Sequence, residues 1–311
     1  MSRITFEYPP FIRVYDDGRK ERLTDDVFVA PSVDPSTGVS SKDVKIKPGD
    51  VKLPPESVLS ARLYLPKGAN PQYKLPLLIY FHGGGFCIDS AFCATYHNFL
   101  NLLVEKANVV AISVNYRRAP EYSLPIAFQD SWTSLKWVFS NPKEEWLNNY
   151  VDFNRVFMGG DSAGATITHN MAVQAAHSEL NGKFNGILVV HPYFLGVKPL
   201  DSEGDMDLLG KLWTTVYPTT SGLDDPLINP VKDPNFKKLS CKKVLVCVAE
   251  KDVLVYRGKF YYEQLGKCGW NGVAELAEAK GENHVFFLSN PTCENAVEFF
   301  KLVVAFINAS E

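Results

Sequence analysis

The pentapeptide Gly-Asp-Ser-Ala-Gly at residues 160–164 is the feature that most narrows what this chain can fold into. It follows a short apolar run at 155–159 and precedes residues 165–180, where apolar side chains recur every fourth position, as on one face of a helix. A Gly-x-Ser-x-Gly sequence between a strand and a helix is a nucleophile elbow. Such a turn lifts the hydroxyl of Ser162 to the positive end of the helix. The motif therefore predicts a reactive serine, and a serine that falls between glycines by chance is the alternative.

Apolar runs of strand length alternate with helical patterns over most of the chain. The predicted strands lie at 59–65, 75–81, 109–114, 155–159, 186–190, 244–249 and 273–279, and the predicted helices at 96–106, 127–139, 165–180, 257–268 and 292–307. This alternation predicts an α/β fold with a mostly parallel central sheet and helices on both faces. Ligands of such sheets bind beyond the carboxyl ends of the strands, where His82, Ser162 and Asp252 fall.

Two segments stand outside this alternation. At the N-terminus, a hairpin turn at Asp17-Gly18 is followed by a stretch rich in Pro, Ser and Asp at 31–49, which we interpret as a loop with a strand beginning near Val44. Residues 194–226 are rich in acids and contain one helical pattern. We predict a single domain over residues 1–311 with a cap contributed by about 1–45 and 194–226. Ordinary surface insertions are the alternative.

A serine hydroxyl needs a base to remove its proton, and a histidine oriented by a carboxylate is the usual base. In this type of fold the expected order along the chain is serine, acid, histidine. The chain has six histidines: His82, His97, His169, His177, His191 and His284. Two precede Ser162, two lie in the helix after it, and no convincing acid separates His191 from it. His284 is therefore the predicted base, and a surface-loop histidine is the alternative.

The acid is expected on a loop after a strand and before His284. Glu250 and Asp252 both follow the apolar run at 244–249. We favour Asp252, because the apolar residues 253–255 after it would pack it against the core. Glu250 stays open as the second candidate, and a solvated loop carboxylate is the alternative for either residue.

Attack on a carbonyl builds negative charge on its oxygen, and backbone N–H groups must point at that charge. Gly83, Gly84 and Gly85 follow a predicted buried strand, and glycine lets the backbone approach a ligand closely. Ala163, directly after the serine, supplies a further N–H group. A phosphate cradle is the rival interpretation, but no Gly-Lys-Ser/Thr follows and the G-x-G-x-x-G spacing is missing. The residues predict acyl transfer through an acyl-serine, with no metal and no cofactor.

The composition limits the partners. The formal net charge is -3 and no long run of Lys and Arg occurs, which argues against a nucleic-acid partner. The N-terminus lacks the apolar stretch of a signal peptide, and no segment has the length of a transmembrane helix. None of the six cysteines forms a Cys-x-x-Cys pair, so we interpret them as free thiols in a reducing compartment. We expect a cytosolic protein without membrane contact, either a monomer or a weak homodimer.

Five stretches together carry a resemblance. They are His-Gly-Gly-Gly-Phe at 82–86, Tyr-Arg-Arg-Ala-Pro-Glu at 116–121, Gly-Asp-Ser-Ala-Gly at 160–164, Asp-Pro-Leu-Ile-Asn-Pro at 225–230 and His-Val-Phe at 284–286. In this combination, over nearly its whole length, the chain resembles the plant carboxylesterases of the hormone-sensitive-lipase-like branch of the α/β-hydrolases. The resemblance implies an α/β-hydrolase fold with an eight-stranded sheet and a cap built partly from the N-terminus. It also supports Asp252 over Glu250.

The resemblance implies a serine carboxylesterase acting on small or medium carboxylic esters, including those of plant specialised metabolites. Relatives similar to 2-hydroxyisoflavanone dehydratase or to alkaloid-pathway cyclases use the same fold for eliminations or cyclisations, so a lyase or cyclase is the alternative. Gibberellin receptors are also similar, but their catalytic histidine is replaced, whereas this chain keeps His284. Arg118 and Thr166 depart from the residues that relatives usually carry, which leaves substrate details open.

Overall fold

The computed structural model describes residues 2–46, 59–140, 142–180 and 183–309. A small antiparallel sheet at the N-terminus comprises β1 (Ile4–Tyr8), β2 (Ile12–Tyr15) and β3 (Lys20–Arg22). The central sheet has eight strands. They are β4 (Ser40–Lys45), β5 (Ser60–Leu65), β6 (Leu75–Phe81), β7 (Val110–Asn115), β8 (Val151–Asp161), β9 (Phe184–Val190), β10 (Cys241–Ala249) and β11 (Val273–Ala279).

The strands of the central sheet lie in the order β11-β10-β9-β8-β6-β7-β5-β4. β5 pairs antiparallel with both β4 and β7, whereas all pairs from β7 to β11 are parallel. The carboxyl ends of β6, β8, β9, β10 and β11 therefore meet at one edge of the sheet. The expected α/β fold with a mostly parallel, eight-stranded sheet is confirmed.

Helices cover both faces of the sheet. They are α1 (Ala94–Ala107), α2 (Ile126–Phe139), α3 (Glu145–Tyr150), α4 (Ala163–Ala176), α5 (Asp207–Val216), α6 (Val255–Lys267), α7 (Phe286–Ser289) and α8 (Glu294–Asn308). The inner strands are apolar on both sides because each side is buried: Leu77 and Ile79 of β6 join the core under α2, α4 and α6, while Leu78 and Tyr80 join the core under α1, α7 and α8.

The interpretation of 31–49 as a loop with a strand beginning near Val44 is wrong for residues 40–43, because β4 already begins at Ser40, at the edge of the sheet. None of its residues is fully buried, so the strand lacks the apolar run by which the inner strands were found. The cap predicted for 1–45 therefore cannot include this strand. The helices α3 and α7 and strand β1 were not predicted, because elements of four to six residues carry too little periodicity.

Two global properties complete the fold. Within the four described ranges, no helix combines the length and the apolar character that crossing a bilayer requires. The six cysteines all lie in described ranges and carry free thiols, as predicted, with four of them buried.

Candidate active site

The elbow at 160–164 joins the end of β8 to the start of α4. Ser162 has φ 53° and ψ -119°, a backbone conformation that a residue with a side chain rarely adopts and that concentrates at functional sites. A Cβ atom on Gly160 would lie 2.4 Å from the carbonyl carbon of Gly164, and one on Gly164 would lie 1.9 Å from the carbonyl oxygen of Phe81. Both glycines are therefore required by close backbone packing.

Strand β9 holds the elbow from the other side. The Ser162 amide donates to the carbonyl of Val190 at 2.9 Å, and the Tyr193 amide donates to the carbonyl of Ser162 at 3.1 Å. The hydroxyl of Thr166 donates to the carbonyl of Tyr193 at 2.7 Å. Thr166 thus ties α4 to the turn after β9.

Asp252 and His284 are joined directly. Nδ1 of His284 lies 2.7 Å from a carboxylate oxygen of Asp252, whose other oxygen accepts from the amide of Leu254 at 2.9 Å. Burial disfavours the charged form of Asp252, but the hydrogen bonds from His284 and Leu254 outweigh it, so the pKa of this carboxyl lies below its ordinary value. The Asp252 side chain is 1% exposed and that of His284 is 34% exposed, so a buried acid supports an accessible base.

Glu250, the other acid that the sequence left open, lies elsewhere. It is exposed, and its carboxylate accepts from the amide of Gly281 at 2.8 Å and pairs with Lys280. These contacts fasten the loop before His284 to the end of β10. The structure therefore brings Asp252, and not Glu250, to the imidazole.

His191, which the sequence analysis set aside as a base, is a further residue of the site. Its Nδ1 accepts from the amide of Val285 at 2.8 Å, and its ring centroid lies 5.8 Å from that of His284. Burial lowers the pKa of His191 to about 3, so the ring is neutral and can accept this hydrogen bond. The only sequence signal was its place at the end of a predicted strand.

His191, Asp252 and His284 place three donor atoms within 4.8 Å of one another, a grouping that could hold a metal ion. The sequence suggested no such cluster, because its members come from three distant segments. Nδ1 of His191 is already bound to a backbone amide, and Nδ1 of His284 is bound to Asp252. These two hydrogen bonds explain why the three side chains lie together without a metal ion. The Val285 amide orients the ring of His191, and Asp252 orients the ring of His284.

Ser162 lies at the same edge of the sheet as the histidine pair. His191 follows Val190, the residue that binds the Ser162 amide, and its ring faces His284. Among the described residues the Ser162 hydroxyl has no hydrogen-bond partner, so the structure does not join it to His284. Catalytic hydrogen bonds are often long in a free enzyme and tighten when substrate binds.

The glycine loop after β6 approaches the elbow closely. Gly84 and Gly85 have φ values of +93° and +58°, which glycine adopts readily. The amide of Gly83 donates to the hydroxyl of Tyr96 at 2.7 Å and is therefore already used. Within the described ranges, the amides of Gly84, Gly85 and Ala163 donate to no protein acceptor. Three of the four residues predicted as oxyanion donors thus have a free N–H group.

The two segments predicted as a cap meet over the glycine loop. Side-chain atoms of Phe11 and Leu212 lie 2.9 and 3.1 Å from the position that a Cβ atom on Gly85 would take, so both side chains pack against this glycine. Nζ of Lys20 donates to the carbonyl of Thr215 at 2.8 Å, which joins the N-terminal sheet to α5. Arg118 pairs with Asp26 at 2.8 Å and so ties the N-terminal segment to the loop after β7.

Comparisons with known proteins agree with this architecture. A family model for the alpha/beta hydrolase fold matches residues 78–288. The chain is 44% identical to "Probable carboxylesterase 13" of Arabidopsis thaliana, over 100% of this chain and 99% of that protein. It is 42% identical to the 2-hydroxyisoflavanone dehydratase of Glycyrrhiza echinata, over 98% of this chain and 97% of that protein.

Solved structures show the same fold. A hyperthermophilic esterase from the archaeon Pyrobaculum calidifontis superposes with a TM-score of 0.70 at 26% identity, covering 86% of this chain and 85% of that one. The match of the family model over most of the chain, and of the plant proteins over its whole length, agrees with the elbow and the sheet described above. The chain belongs to the alpha/beta hydrolase fold family, in the branch of the plant carboxylesterases.

Proposed function

We propose that this protein is a serine carboxylesterase that hydrolyses small or medium carboxylic esters, those of plant specialised metabolites among them, through an acyl-enzyme on Ser162. The observation that carries the proposal is the 2.7 Å hydrogen bond between the buried carboxylate of Asp252 and Nδ1 of His284, beside the strained elbow of Ser162. The names of the similar proteins, carboxylesterase and esterase, support it.

In the first half of the reaction, Nε2 of His284 takes the proton of the Ser162 hydroxyl as Oγ bonds to the carbonyl carbon of the ester. The negative charge that forms on the carbonyl oxygen accepts hydrogen bonds from the free amides of Gly84, Gly85 and Ala163. When the carbonyl reforms, the bond to the alcohol breaks, and the alcohol oxygen takes the proton from His284. The acyl group stays on Ser162.

In the second half, His284 takes a proton from water, and the water oxygen attacks the acyl carbon. Collapse of this intermediate returns the proton to Ser162 and releases the carboxylic acid. Asp252 keeps the proton of the neutral imidazole on Nδ1, which leaves Nε2 free to act as the base, and its charge stabilises the imidazolium.

A covalent probe tests the nucleophile. We expect a fluorophosphonate to label Ser162, and Ser162→Ala to abolish both labelling and turnover of a short p-nitrophenyl ester. Ser178→Ala is a matched control, because this serine is exposed and lies two residues beyond the far end of α4. Full activity of Ser162→Ala would exclude Ser162 as the nucleophile.

An elimination is the second candidate, favoured by the 42% identity to a dehydratase. His284 would then move the proton, and the glycine loop would stabilise an enolate. Incubation with plant metabolite extracts separates the two candidates by product mass. Loss of water or acetate from a substrate without cleavage by water would favour the lyase.

The cap, the location and the oligomeric state complete the proposal. We propose that the N-terminal segment up to β4 and residues 194–226 cap the site, supported by the contacts of Phe11 and Leu212 with Gly85. Leu212→Ala should then shift activity towards longer acyl chains. We further propose a cytosolic monomer or weak homodimer, which imaging of a fluorescent fusion and sedimentation analysis would test.

A further inference from the structure

We propose that Tyr96 is a positioning residue for the oxyanion loop: its hydroxyl, anchored on Asp161, fixes the amide of Gly83 and thereby aims the amides of Gly84 and Gly85. The inference rests on the proposed esterase function and deepens it. It assigns to a residue of α1, on the opposite face of the sheet from α4, a part in stabilising the transition state.

The geometry determines the direction of each hydrogen bond. The Tyr96 hydroxyl lies 2.7 Å from the amide nitrogen of Gly83 and 2.7 Å from Oδ2 of Asp161. An amide N–H can only donate, and an ionised carboxylate can only accept. The hydroxyl must therefore accept from Gly83 and donate to Asp161. With any other orientation of the hydroxyl hydrogen, the buried carboxylate oxygen of Asp161 would lose its donor.

Each end of this relay is one residue away from the reacting machinery. Asp161 directly precedes Ser162, and Gly83 directly precedes Gly84. Two hydrogen bonds thus connect the turn that carries the nucleophile to the loop that carries the donors. Because a donor must meet the developing oxyanion at about 2.7–3.1 Å, a small displacement of this loop weakens its hydrogen bonds.

The contact of Gly83 with Tyr96 and Asp161 is close and buried. A Cβ atom on Gly83 would lie 2.5 Å from Oδ2 of Asp161 and 2.8 Å from the hydroxyl oxygen of Tyr96. Tyr96 and Asp161 are each 1% exposed. Glycine at position 83 is therefore what lets the loop reach the relay.

Tyr80 provides a matched control inside the same network. Its hydroxyl donates to Oδ1 of Asp161, also at 2.7 Å, and its side chain is equally buried. Tyr96→Phe and Tyr80→Phe each remove one hydroxyl and one hydrogen bond to Asp161. Only Tyr96→Phe also removes the acceptor of the Gly83 amide. Any difference between the two variants therefore reports on the loop.

The test compares both variants with the unmodified protein on a short p-nitrophenyl ester. We expect Tyr96→Phe to lower kcat about 10- to 100-fold with KM within about twofold, below the loss from deleting an oxyanion donor outright. Binding of a trifluoromethyl ketone that mimics the tetrahedral intermediate should weaken in parallel. Tyr80→Phe should stay within about threefold in all three quantities.

Two results would overturn the inference. One is an equal loss of kcat in Tyr96→Phe and Tyr80→Phe, and the other is an effect on KM alone. If Tyr96→Phe does not fold, hydrogen exchange of the unmodified protein decides: the Gly83 amide should exchange more slowly than those of Gly84 and Gly85, and equal rates would contradict the relay. Failure of the proposed function is separate, because it would show as an unmodified protein that does not cleave the ester.

Discussion

At the scale of single residues, the acidic side chains at the site differ in burial and in hydrogen-bond partners. Asp252 is buried and bonded to the imidazole, Asp161 is buried and bonded to two tyrosines, and Glu250 is exposed and bonded to a loop amide. Burial raises the pKa of Asp161 to about 6 despite the hydrogen bonds from Tyr96 and Tyr80, whereas the bonds of Asp252 outweigh its burial. The three carboxylates therefore differ in role: Asp252 orients the imidazole, Asp161 anchors the two tyrosines and Glu250 holds the loop before His284.

The first prediction separates the two acids that follow β10. Asp252→Asn should lower kcat about 10⁴-fold, because an amide can donate to Nδ1 and so favours the imidazole tautomer that cannot act as base. Glu250→Gln is the control and should change kcat less than tenfold, since its side chain contacts the loop and not the ring. Steady-state kinetics on the short ester measure both. A larger loss of kcat in Glu250→Gln than in Asp252→Asn would show that Glu250 is the acid.

At the scale of elements, the elbow depends on how closely β6, β8 and α4 approach. The start of α4 passes the end of β6 so closely that the backbone at 164 has no room for a methyl group. This close approach brings the glycine loop, which continues from β6, next to the nucleophile. The same contact therefore serves packing and chemistry.

The second prediction measures that contact. Gly164→Ala should lower the free energy of unfolding by about 3 kcal/mol, because its Cβ atom would lie 1.9 Å from the carbonyl oxygen of Phe81. Gly266→Ala in α6 is the control, since nothing lies within 4 Å of its Cβ position. It should raise stability by about 0.5 kcal/mol through helix propensity. Chemical denaturation measures both, and equal stabilities would contradict the packing argument.

At the scale of the whole molecule, three fully buried histidines are neutral in the folded protein. Burial lowers the pKa values of His82, His169 and His191 to about 3 each, below the ordinary 6.5. The unfolded chain then binds these protons before the folded chain does. Their contribution to stability is present above pH 6.5 and is lost as the pH falls towards 3.

Asp161 acts in the opposite direction. Its pKa is raised from 3.8 to about 6, so the folded chain binds this proton first, and the contribution is present at low pH and lost as the pH rises through 6. From these four groups alone, three histidines against one aspartate, the unfolded chain binds about two more protons than the folded chain near pH 5. Each net proton changes the free energy of unfolding by about 1.4 kcal/mol per pH unit.

The third prediction follows from this balance. On acidification near pH 5, these four groups together should lower the free energy of unfolding by roughly 3 kcal/mol per pH unit. His169→Phe should reduce this slope by the contribution of about one proton, because the buried ring is removed. Urea unfolding between pH 7 and 4.5 measures the slopes. An unchanged slope in His169→Phe would contradict a neutral buried ring.

Local sequence determined a large part of this protein. The elbow glycines, the apolar runs of the inner strands and the amphipathic helices each lie within a few neighbouring residues, and periodicity or close packing at that range is written directly into the chain. Ser162 was predicted in this way, as was the order of strands and helices around it, whereas His284 was predicted by elimination among the six histidines. The resemblance of the motifs then identified the family.

The tertiary structure decided the rest. His284 is hydrogen-bonded to Asp252, 32 positions earlier in the chain, and the Val285 amide is hydrogen-bonded to His191, 94 positions earlier. The Gly83 amide is hydrogen-bonded to the hydroxyl of Tyr96. The tertiary structure also placed the polar strand β4 at the edge of the central sheet. None of these contacts follows from a local pattern, because hydrogen bonds between distant segments depend on how the strands are ordered and on which groups burial deprives of water.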